Sequence, residues 1–165
     1  MKKTALSSRH PRLATCRKAL GFPLGLMVVY AVILIGSLVI SSEGIPSWSG
    51  GVWGLTLVGL GIGTLCLYQQ QRAARWGAVG VVLILSGVLT VFPLTTFLAH
   101  ALQALGLVGL SLVFYDLEKV FGVPLMLPGG LLVLAVVATV LNTPLMSFVG
   151  LVLLAVSGTL ALGRM

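Results

Sequence analysis

Between Phe22 and Ile40 the chain runs for 19 residues without a charged side chain, and the pattern recurs along its length. Gly51–Tyr68, Gly77–Phe92, Thr96–Tyr115, a stretch within Val120–Leu141, and Leu145–Leu162 are apolar runs of the same kind. A helix rises about 1.5 Å per residue, so the first run covers roughly 28 Å, close to the hydrocarbon thickness of a bilayer. Membrane-crossing barrel strands would alternate apolar and polar residues, and these runs do not. In lipid every backbone N–H and C=O must be bonded internally, which leaves the helix. Composition agrees: 58% of residues are hydrophobic and 8% charged, against about 45–50% and about 25% in soluble domains. The sequence predicts an all-α polytopic integral membrane protein with six transmembrane helices. Phe22–Ile40 is also longer than a signal-peptide core of about 7–15 residues, so it reads as a retained anchor.

The net charge of +7 would raise nucleic-acid binding in a soluble protein. Here the basic residues sit at the ends of apolar runs, where they set topology instead. Six alternating spans put residues 1–20, 69–76, 116–119 and 164–165 on one side, and all ten Lys and Arg fall there. The opposite loops, 41–50, 92–96 and 142–144, contain none. The positive-inside rule makes both termini cytoplasmic and the protein multi-pass in the cell's inner, cytoplasmic membrane. Residues 1–20 form a basic cytoplasmic segment, and 21–165 form one six-helix domain. The lipid bilayer is its first partner, and nucleic acid is not one.

Each outer loop carries a proline: Pro46, Pro93 and Pro144. Pro93-Leu94-Thr95-Thr96-Phe97 and Pro144-Leu145-Met146-Ser147-Phe148 share a pattern, and Pro46-Ser47-Trp48-Ser49 is a looser copy. Proline lacks a donor and disfavours helix in the residue before it, so each marks a turn. The chain therefore reads as hairpins 22–68, 77–115 and 120–163. Each has two spans, so successive units point the same way as parallel repeats, unlike the inverted repeats of many transporters.

Gly80–Leu89, followed by Pro93-Leu94-Thr95-Thr96 and Gly106-Leu107-Val108-Gly109-Leu110-Ser111-Leu112, resembles the repeat unit of HdeD-like membrane proteins. Gly130–Pro144 with Val149–Leu162 resembles it again, and the first unit does so poorly. The resemblance implies six helices built from such hairpins and a role in acid resistance. It supplies no catalytic residues.

Polar residues within a span are functional candidates by default. Reading the spans as above, Glu43, Asp116 and Glu118 all fall in loops, which disfavours a proton- or sodium-coupled pump. Asp116 and Glu118 read as solvated loop charges, able to pair with Lys119, Arg72 or Arg75. His100 shares a helix face with Thr96 and Gln103, four before and three after it. An unperturbed histidine titrates near pH 6.5 and could sense acid. The plainer reading is an interhelical hydrogen bond near the outer leaflet, worth about 0.6 kcal/mol on average. Gly54, Gly59 and Gly63 form a small-residue helix-packing set suited to a homo- or hetero-oligomer or a larger complex. Cys16 lies in the basic segment and Cys66 inside a run, so a disulfide between them is not expected. There is no nucleotide loop, HExxH, GxSxG or Cys/His cluster. The expectation is a non-enzymatic protein without cofactor or metal. Its alternatives are an accessory subunit, or an uncoupled transporter or channel.

Overall fold

The computed structural model describes residues 11–40, 48–122, 124–140 and 144–164, apart from 92–95. They form six helices: α1 Pro11–Ile40, α2 Ser49–Gln71, α3 Ala74–Val91, α4 Thr96–Phe121, α5 Met126–Val140 and α6 Pro144–Arg164. Five are long and apolar enough to cross a membrane. The exception is α5, with 15 residues, which span roughly 22 Å. Its start is displaced because α4 continues past Tyr115 to Phe121. Gly122 ends α4 in the left-handed conformation at φ 66°, and its N–H donates to the Glu118 carbonyl at 2.9 Å. Pro128 is tolerated in the first turn of α5, where backbone N–H groups have no intrahelical acceptor.

The helix ends change the sequence reading at two places. Residues 11–20, part of the basic segment, run on into the first apolar run as one helix, α1. Asp116-Leu117-Glu118-Lys119 is not a break between spans but the end of α4. The described part of the fifth apolar run is the 15-residue α5. Pro46 and Pro93 lie outside the described residues, and Pro144 is the first residue of α6.

Each helix packs on its neighbours in sequence, α1 closes against α6, and α2 also touches α4. The result is a closed arrangement of helices. The helices bury stripes of apolar residues: Leu20, Leu24, Met27, Ala31 and Leu34 on α1, Leu57, Leu60 and Leu67 on α2, and Leu107, Leu110, Val113, Phe114 and Leu117 on α4. Three- and four-residue spacing is what one face of a helix requires. The opposite faces carry Val29, Val32, Leu55, Ile62, Val81, Leu85, Leu105, Leu112, Leu134 and Val152, all exposed. A belt of apolar side chains on the outside of so many helices suits lipid, not water.

Glycine sets how closely these helices approach. On α2 and α3, Gly54 lies against Gly87 and Gly61 against Gly80. A Cβ on Gly54 would stand 2.7 Å from the Gly87 carbonyl oxygen, and one on Gly61 2.6 Å from that of Gly80. Gly59 and Gly63 face α1 instead, where Gly59 receives the ring of Pro23 and Gly63 meets Leu20 and Ala19. The set Gly54, Gly59 and Gly63 is therefore two faces, not one. Five residues turn a helix through about 140° beyond a full revolution. Both faces are filled from within the chain. The notch at Gly59 also explains how Pro23 can sit inside a 30-residue helix. Proline breaks the backbone bond to residue 19 and projects a ring, and here the ring has room.

Candidate functional site

The contacts between helix ends define the polar face of the bundle. Cys16 near the start of α1 bonds to Cys66 near the end of α2. Two residues, Arg72 and Ala73, separate α2 from α3. Trp76 at the start of α3 reaches Asp116 at the end of α4. Glu118 on α4 accepts a hydrogen bond from the Met126 N–H that opens α5. Arg164 at the end of α6 donates to the Pro124 carbonyl just before α5, at 2.6 Å. These links gather one end of all six helices together. The five basic residues whose side chains are described, Lys18, Arg72, Arg75, Lys119 and Arg164, all belong to that end.

Asp116 is the centre of the polar face. It is 6% exposed, although the sequence reading made it a solvated loop charge. Its Oδ2 accepts from Trp76 Nε1 at 2.9 Å and from Arg75 Nε at 2.8 Å. The reason is the extension of α4. One more helical turn carries Asp116 against α3, beside a buried indole whose only polar group is a donor. The Arg75 side chain is 70% exposed, so solvent screens its share of the attraction. The indole bond is the buried part. Lys119 lies 4.3 Å from the centre of the Tyr115 ring.

The α4–α5 junction is held by opposite charges acting on backbone. The Glu118 carboxylate binds an N–H at a helix start, where a negative charge is favoured. Arg164 satisfies a carbonyl that precedes the helix. Both line an open cleft of about 680 Å³ whose apolar wall includes Met126, Leu127, Leu131 and Leu134. Deeper in the bundle, Ser157 donates to the Pro128 carbonyl at 2.7 Å. Other hydroxyls turn back on their own helices: Thr56 to Val52, Thr64 to Gly61, Thr90 to Ser86, Ser111 to Val108, and Thr139 to Val136. Ser86 Oγ is fully buried without a hydrogen-bond partner among the described residues.

The disulfide overturns the expectation that Cys16 and Cys66 lie at different depths. Their Cα atoms are 5.5 Å apart, within the ordinary range for a bridge. α1 begins well before its apolar run and lies antiparallel to α2, with Pro23 at Gly59 and Leu20 at Gly63. Continuing the same register brings Cys16 to Cys66.

The face proposed around His100 is at the opposite end. α4 begins at Thr96, whose side chain is outside the described residues. His100 is exposed and Gln103 is half-buried. The buried stripe of α4 runs through Ala99, Leu107 and Leu110, so His100 stands on the outward side. Nearby in the sequence order of ends, Tyr30 on α1 stacks on Trp53 of α2 at 5.0 Å. Sequence reasoning missed the Trp76–Asp116 pair because its partners are 40 residues apart. A usable signal was present: each lies beside an apolar run, at ends that charge counting places on the same side. Among the described residues no three of His, Cys, Asp and Glu gather to hold a metal ion. Comparison with known proteins adds no relative: no family model matches the sequence, and no curated protein or solved structure matches it.

Proposed function

We propose that the chain is a non-enzymatic membrane protein of HdeD-like type, built from three parallel hairpin units. In this reading both termini are cytoplasmic, the proline turns lie outside the inner membrane, and the protein serves acid or related stress resistance. The observation that carries the membrane placement is the segregation of charge. The described basic residues gather at one end of the bundle, and the flanks expose Val, Leu and Ile. Positively charged ends stay on the cytoplasmic side of a membrane.

The non-enzymatic reading draws support from how polar groups are spent. Asp116 joins two helices, and Glu118, Arg164 and Ser157 bind backbone. The stress role follows from the resemblance of the hairpin units. Its test is acid survival of a strain lacking the protein, with and without a plasmid copy. Reduced survival restored by the plasmid is expected, and equal survival of all strains would remove the role. Topology has a separate test. A reporter active only outside the cytoplasm should work when fused at Ser47 and stay silent at Gln71, and the reverse result would invert the molecule.

A further inference from the structure

The chain has two cysteines, 50 residues apart, and they meet. They do so at the end of the bundle that holds the described basic residues. With the topology proposed above, that end faces the cytoplasm. Cytosolic thiols are kept reduced, and disulfides found there are usually transient, catalytic or sensing. We propose that Cys16 and Cys66 form a reversible thiol–disulfide switch, closed by peroxide and opened by a dithiol, that fastens the basic N-terminal segment to the bundle. The proposal rests on the charge-based topology.

Two features support it. Cys16 is buried and Cys66 half-buried, so Cys66 offers the sulfur that a reagent reaches first. Pro23 follows Cys16 by two helical turns and removes the backbone bond to Ala19. Beyond Pro23, α1 is anchored by Leu24, Met27, Ala31 and Leu34. Before it, the described anchors are Leu20 and the disulfide itself. Opening the bond removes the covalent tie of the segment before Pro23 to α2, next to a weak point in the helix.

The chemistry balances. In closing, the Cys66 thiolate attacks one peroxide oxygen, forming the S–O bond as the O–O bond breaks, and the other oxygen leaves with its electron pair as hydroxide or alkoxide and takes up a proton. The resulting sulfenic acid is attacked by the Cys16 thiolate, forming S–S and releasing water. In opening, an external thiolate attacks the Cys66 sulfur and expels Cys16 as thiolate. The second external thiol resolves the mixed disulfide, so the pair gains two electrons and two protons.

The test uses cells making the full chain, quenched in acid and alkylated with a maleimide-linked polymer. Resting cells should show two added polymer masses. Cells given hydrogen peroxide should show none, and both masses should return after its removal. Two masses after peroxide would overturn the switch, as would none in resting cells. In the latter case the Gln71 reporter separates the causes. An active reporter means the topology failed, and a silent one means the switch alone failed. For the purified full-length protein, trypsin should cut after Lys18 several-fold faster in dithiothreitol. Cys16→Ser should cut at that faster rate with or without reductant. Equal rates for oxidised and reduced wild-type protein would remove the fastening role.

Discussion

The approach of α2 to α3 makes a sharp prediction about two chemically identical substitutions. At Gly87 a new Cβ would stand 2.5 Å from the Gly54 carbonyl oxygen, 2.8 Å from Val58 Cγ2 and 3.0 Å from Val58 N. Ordinary contact begins at 3.4 Å, so the α2 backbone must retreat by the difference from 2.5 Å. A gap of about 0.5–1 Å forfeits a quarter to a half of each van der Waals well along the interface. Overpacking of this kind costs about 1–3 kcal/mol. Helix propensity returns at most about 0.8–1.0 kcal/mol for Gly to Ala. Gly87→Ala should therefore be destabilised by up to about 2 kcal/mol. Gly36 has nothing within 4 Å of its notional Cβ, so Gly36→Ala keeps only the propensity gain and should be neutral or stabilised by up to about 1 kcal/mol. Reversible unfolding in mixed detergent and dodecyl sulfate micelles measures both, with Trp53 on α2 and Trp76 on α3 as fluorescent reporters. If Gly87→Ala is as stable as Gly36→Ala, the glycines do not set the helix approach and the packing argument fails.

Four further outcomes follow from named contacts. Asp116→Ala leaves the buried Trp76 indole N–H without its acceptor and should cost about 1–3 kcal/mol in the same unfolding assay; Trp76→Phe in that background should then cost less than it does alone. Ser157→Ala loses the bond to the Pro128 carbonyl and should cost about 0.6–1.7 kcal/mol, read as a shift of the unfolding midpoint. Ser86→Ala removes a buried hydroxyl that has no partner among the described residues, so the midpoint should hold or rise, and a fall would mean that the hydroxyl is bonded in the membrane. His100→Ala bears on acid sensing: acid survival equal to wild type would leave His100, exposed on α4, with a packing or interfacial role only.

How much of this was legible in the sequence depends on the range of each interaction. The apolar runs announced the helices because a bilayer solvent enforces backbone bonding locally, residue by residue. Their ends were harder. Asp116, Glu118 and Lys119 look like a loop when hydropathy alone is read, yet the helix continues because its last turn has partners waiting on α3 and α5. Those partners are 40 and 8 residues away, beyond any local signal. The same limit hid the cysteine pair. Depth was judged from where the apolar run begins, whereas α1 starts 11 residues before Phe22, at Pro11.

The glycines teach the converse lesson. The small-residue reading of α2 put Gly59 with Gly63, and both face α1. It missed the pairing of Gly54 and Gly61 with Gly87 and Gly80, which repeats at seven residues on each of two antiparallel helices. Seven residues are nearly two turns, so both glycines of a helix return to the same face. A small-residue motif therefore names a close approach without naming the partner helix. In this chain that partner is internal, and α2 is gripped on both sides: by the Pro23 ring in one notch and by the α3 backbone in the other. A helix held so tightly on both flanks, and tied to Cys16 at its polar end, is the fixed element against which the start of α1 can move.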